Sequence, residues 1–106
     1  MSDREKIRAQ NDNFRKTLRG GQALMTRGVA ARSDVMTIVA RVREFDSFTA
    51  DNDPYDEHDF GAFESGPDKF FWKIDYYGID LREGSPDPSD PATTTRVLTI
   101  MLADEY

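Results

Sequence analysis

The sequence contains no cysteine, so disulfides and thiolate metal sites are both excluded. It has a single histidine, His58, and a single tryptophan, Trp72. No serine sits in a Gly-x-Ser-x-Gly elbow, which removes the α/β-hydrolase type of nucleophile. The Gly20-Gly21 pair lacks the spacing and the following lysine of a phosphate loop. No apolar run approaches the ~20 residues of a membrane span. The leading "MSDREKIRAQ" has no apolar stretch of the secretory kind, so a cytoplasmic protein without a membrane partner is expected. The apolar fraction is low, 38%, and the charged fraction is high, 32%. Seven Phe, four Tyr and one Trp still supply enough large apolar surface to offset the entropy of ordering. At 106 residues a single domain, 1–106, is expected.

The net charge of −6 conceals an asymmetry. Residues 1–43 carry ten Lys/Arg against four Asp/Glu, whereas residues 44–106 carry four against sixteen. Either the two halves neutralise each other or an acidic face survives on the surface. The sequence pI of about 4.7 disfavours direct nucleic-acid binding by the arginine row Arg4, Arg8, Arg15 and Arg19.

Ser2 and Glu5 have capping-box spacing, and Ile7, Asn11, Phe14 and Leu18 share one stripe, predicting a first helix that ends at Gly20-Gly21. In that helix the arginine stems cover apolar surface while the guanidinium groups reach outward. "QALMTRG" (22–28) reads as a strand. A second helix is predicted from a cap at Ser33 or Asp34, through Val35, Ile38, Val39, Val42 and Phe45, to near Phe48. "HDFGAFE" and "KFFWKIDYY", joined by "SGPD", read as a hairpin whose loop is slightly longer than two residues. "TRVLTIMLADEY" is apolar on both sides and reads as a central strand. Three Asp/Ser–Pro steps make "REGSPDPSDPATT" a stiff exposed connection. The fold class is α+β: two N-terminal helices packed on a three- to four-stranded, mainly antiparallel sheet, a two-layer sandwich.

Chemistry concentrates in "NDPYDEHDFGAF" (52–63). As an EF-hand it fails, because Tyr55 occupies a ligand position and Asp56 the glycine position. His58 with Asp56, Glu57 and Asp59 would make a mixed N/O metal site, but on a strand His58 and Asp59 point to opposite faces. Asp51 or Asp53 serving turn hydrogen bonds is the plain alternative. Lys73 and Asp75 share a strand face and read as an ion pair; if the strands pair, Glu57 and Asp59 join them in a charged ladder. No catalytic residue, metal ligand or cofactor is assigned on this pattern.

At "FRKTLRGG", "FDSFTADNDPYDEHDFGAF", "FFWKIDYYGIDLREGSPDPSDP" and "TTTRVLTIMLADEY" the chain resembles an uncharacterised family of short bacterial proteins, catalogued as a domain of unknown function. The resemblance runs over nearly the whole length. It singles out Glu57, His58, Asp59, Phe60 and Gly61, with Trp72, Lys73, Asp75 and Tyr76. The family often has glycine where Asp56 stands, and its members are often encoded near plasmid and phage genes. The resemblance implies no activity and no site residues.

The expected function is a non-catalytic acidic module that binds a basic protein or protein complex, as a monomer or homodimer. Asp51, Asp53, Asp56, Glu57, Asp59 and Glu64 form the expected contact surface, with Asp80, Glu83, Asp87 and Asp90 as a second acidic group. Its sharpest form is an inhibitor that mimics nucleic acid toward a nucleic-acid-handling complex of host defence. A small metal-dependent or acid–base enzyme centred on His58 is the first alternative, and a dimerising structural accessory the second.

Overall fold

A computed structural model describes residues 2–106. Helix α1 (Asp3–Thr17) opens with the expected capping box of Ser2 and Glu5. It stops before the Gly-Gly pair: Leu18 takes the left-handed conformation (φ 57°) as C-cap, its N–H bonding to the Phe14 carbonyl. Strand β1 (Gly21–Met25) follows, shorter than the expected 22–28 at its far end, because a one-turn helix α2 (Arg27–Ala30) starts at Arg27. Helix α3 spans Val35–Arg43. It ends sooner than the apolar spacing suggests, so Phe45 and Phe48 lie on extended chain beyond it. Asp34 occupies the N-cap without capping, because its carboxylate is taken by Arg32 at 2.8 and 3.1 Å. Arg32 also reaches Asp68 at 2.8 Å and so ties the start of α3 to the hairpin.

Strands β2 (Phe60–Ser65) and β3 (Asp68–Tyr77) form that hairpin. Its loop is two residues, tighter than expected: Ser65 pairs with Asp68, and Gly66 supplies the positive φ (60°) that such turns demand. Strand β4 (Thr95–Leu102) is central, as its two apolar faces predicted. The sheet order is β1-β4-β3-β2, with β1 parallel to β4 and the other pairs antiparallel. Residues Ala103–Glu105 close the chain in a 3-10 turn, where Glu105 accepts from Thr26 Oγ1 (2.6 Å) and the Gly28 N–H (3.0 Å).

The α1 and α3 helices cover one sheet face, giving the expected two-layer α+β sandwich. Between the layers lie Phe14, Val29, Ile38, Val42, Phe45, Phe63, Phe70, Trp72, Ile74, Leu98 and Ile100. Arg15 departs from its expected outward path. It is buried, donates from Nη1 to the carbonyls of Val42 (3.1 Å) and Arg43 (3.0 Å), and lies over Phe48 and Trp72. It therefore closes the C-terminus of α3, where a cation meets unpaired carbonyls and the negative end of the dipole. Gly61 is packed against Trp72: a Cβ there would lie 2.6 Å from its Cε2 and 2.8 Å from Phe45 Cε1.

Candidate metal centre

The segment between α3 and β2 is a tightly bonded loop. Asn52 Oδ1 accepts from the Thr49 N–H (3.0 Å), and its amide donates to the Ser47 carbonyl (3.2 Å). Asp53 is buried, 6% exposed, and its Oδ1 accepts from the backbone N–H groups of both Glu57 and His58 (3.1 Å each). This is the expected turn role, reaching four and five residues along the chain. Asp56 (φ 55°) and His58 (φ 56°) both adopt the left-handed conformation. Asp and His tolerate that region better than most residues. Asp56 thus keeps a backbone geometry that glycine adopts at no steric cost.

With His58 in the loop rather than on β2, the opposite-faces objection disappears. The His58 Nε2 lies 3.6 Å from Asp53 Oδ2 and 3.9 Å from Asp56 Oδ1. Asp53, Asp56 and His58 each offer one ligand atom, all within 4.8 Å of one another. Every inward atom has its outer partner fixed. Asp12 Oδ1 lies 2.8 Å from His58 Nδ1; a carboxylate there can only accept, so Nδ1 donates to it and Nε2 is the ring nitrogen that faces inward. Arg8 Nη1 bonds the outer Asp56 oxygen, Oδ2, and the Asp56 carbonyl. The outer oxygen of Asp53 takes the two backbone N–H groups described above. A Phe48 ring stacked on the imidazole (3.7 Å, 2° between planes) locks its rotation. The inward side opens on a cavity of about 390 Å³ lined by Phe48, Thr49, Ala50, Asp53, Pro54, Asp56 and His58.

One face of α1 grips the loop residue by residue. Arg8 holds Asp56, Asn11 Nδ2 donates to the Glu57 carbonyl (2.9 Å), and Asp12 holds His58. Behind them, Tyr76 donates to Glu57 Oε1 (2.9 Å) and accepts from Asn11 (2.7 Å). Burial pushes the Tyr76 phenol well above its usual range, so it stays a donor.

The acidic residues named from sequence separate into distinct environments. Asp51, Asp56 and Glu64 are exposed, Glu57 and Asp59 are partly buried, and Asp53 is buried. Burial, then Glu57, raise the Asp59 pKa. Asp80, Glu83 and Asp87 are exposed, while Asp90 is partly covered. The Lys73–Asp75 pair forms at 3.0 Å. The charged ladder does not, because β2 begins with Phe60 opposite Lys73 and leaves Glu57 and Asp59 outside the register. Among the described residues, Arg8–Asp56 is the one arginine–carboxylate pair joining α1 to the acidic half. Sequence reasoning missed Asp12, which lies 46 residues from its partner; the only available signal was its i,i+4 spacing from Arg8 on one helix face.

A family model described as a protein of unknown function (DUF3768) matches residues 25–105, and the chain belongs to this family. The matched span contains Asp53, Asp56 and His58, whereas Arg8, Asn11 and Asp12 lie before it, as does the "FRKTLRGG" run. No curated protein matches, and no solved structure matches. No helix among the described residues is long and apolar enough to cross a membrane.

Proposed function

We propose that the chain is a small metal-dependent hydrolase whose loop binds one divalent first-row transition ion. Asp53 Oδ2, Asp56 Oδ1 and His58 Nε2 would be its ligands. The observation that supports this most strongly is the convergence of those three atoms with every outer partner already in place. One imidazole and two carboxylates suit zinc, manganese or iron better than calcium, which prefers six to eight oxygens. Three protein ligands beside an open cavity leave positions for water and substrate, the arrangement of catalytic rather than structural sites. A bound ion lowers the pKa of its water and so supplies hydroxide near neutral pH. The test is hydrolysis of p-nitrophenyl acetate and p-nitrophenyl phosphate by protein stripped with chelator and then reloaded with zinc or manganese. A rate that returns with metal in the parent, and not in Asp53→Asn, supports the reading. Equal rates with and without metal count against it.

The acidic-module reading keeps one specific support. Asp51, Glu64, Asp80, Glu83 and Asp87 are exposed and, among the described residues, take part in no ion pair. That field suits a basic partner in the cytoplasm, and a nucleic-acid-handling complex is the partner that the mobile-element setting of the resembling family favours. Charge reversal at Asp80, Glu83 and Asp87, outside the metal loop, separates the two functions.

A further inference from the structure

On the other flank of α1, away from the metal loop, lies a smaller cavity of about 170 Å³. It is lined by Gln10, Asn13, Phe14, Arg19, Gly20, Pro91, Thr94 and Arg96. In a chain of net charge −6, none of these residues is acidic and two are arginines.

Arg96 is the unusual member. It is 4% exposed, yet it belongs to none of the ion pairs among the described residues. Its Nε donates to Asn11 Oδ1 and its Nη2 to the Pro88 carbonyl, both at 2.7 Å. The remaining nitrogen, Nη1, donates to no described group. The Arg96 guanidinium lies over the Tyr76 ring at 5.3 Å and feels the Glu57 charge from beyond ion-pair distance, yet burial still lowers its pKa, so a further anion beside it is favourable. Arg19 adds an exposed second guanidinium with no ion-pair partner among the described residues.

Gln10 is a neutral part of the wall. Its Nε2 donates to the Ser89 carbonyl at 2.8 Å, which fixes the amide, and its Oε1 is closed off from solvent. The charged groups that line the cavity are the two guanidinium groups, and they suit anionic oxygens such as a phosphate group presents. The volume holds a few water-sized units of ~30 Å³ each, enough for one oxyanion and too little for a whole nucleotide.

We propose that the cavity of Arg96 and Arg19 is a phosphate-binding site, taking inorganic phosphate or a terminal phosphate group. It shares no lining residue with the metal centre and stands whether or not that centre binds an ion.

The test is calorimetric titration of the full chain at low ionic strength with inorganic phosphate, with sulfate and with methyl phosphate. Phosphate is expected to bind at millimolar concentration, and sulfate, with the same tetrahedral set of anionic oxygens, to compete with it. Arg19→Gln, at an exposed side chain, is expected to weaken phosphate about tenfold with an unchanged melting temperature. Methyl phosphate binding as well as phosphate identifies a terminal group as the ligand; its exclusion identifies free phosphate. The proposal is overturned if the folded parent fails to bind phosphate at millimolar concentration. It is equally overturned if Arg19→Gln leaves phosphate binding unchanged.

Discussion

Asp59 and Asp56 show how much a single carboxylate's surroundings decide. The Asp59 carboxyl is partly buried beside Glu57, and its pKa is raised in the folded state. An acid whose folded pKa is raised destabilises the fold once pH exceeds its unfolded value, and contributes nothing below it. Asp59→Asn is therefore expected to raise the melting temperature at pH 7, with the gain vanishing at about pH 3, below the ~3.9 of an ordinary aspartate. A gain that persists unchanged at the acidic end would contradict the electrostatic cause. Asp56 separates stability from function. Its left-handed backbone carries a cost of order 1 kcal/mol that glycine avoids, and its exposed pair with Arg8 contributes only ~0–1 kcal/mol. Asp56→Gly is expected to leave stability within about 1 kcal/mol of the parent by urea unfolding, while weakening metal binding at least tenfold. Loss of both together would place Asp56 in the fold rather than in the site.

Among the elements, those with a clear period were legible in the sequence. The capping box and the Ile7–Asn11–Phe14 stripe located α1, and the doubly apolar run of 95–102 located the central strand. The errors came where side chains overrode local pattern. Arg15 closes α3 at Arg43, though the apolar spacing continues to Phe45. Leu18 ends α1 in a conformation usually left to glycine. The candidate site was hidden for a related reason. Treating "HDFGAFE" as one strand put His58 and Asp59 on opposite faces, whereas two consecutive reversals at Asp56 and His58 turn the imidazole back onto Asp53. Nothing in a one-dimensional pattern links Asp12 to residue 58. Where β2 does begin, its second residue is constrained by the core: Gly61 leaves room for the Trp72 indole and the Phe45 ring. Gly61→Ala is expected to cost about 2 kcal/mol of unfolding free energy, because the overpacked methyl must displace two buried rings. A cost below 0.5 kcal/mol would show that Trp72 can move at little expense.

At the scale of the molecule, charge is divided between two jobs. The leading helix does not quench the acidic half, since one of its arginines meets one carboxylate there and another closes α3. Its inner face instead completes the loop, which lies within the family-matched span, with Arg8, Asn11 and Asp12 holding residues 56, 57 and 58 in turn. The three candidate ligand atoms thus lie in the family-matched span; Asp53 is held from within it, while Asp56 and His58 are held by Arg8 and Asp12 on a helix before it. The most direct measurement is calorimetric titration of zinc and manganese into demetallated protein, parent beside His58→Ala. The account predicts one ion bound per chain, with affinity about a hundredfold weaker in His58→Ala and both proteins folded by circular dichroism. A folded parent that takes up no ion, or a His58→Ala protein that binds as tightly as the parent, would contradict it.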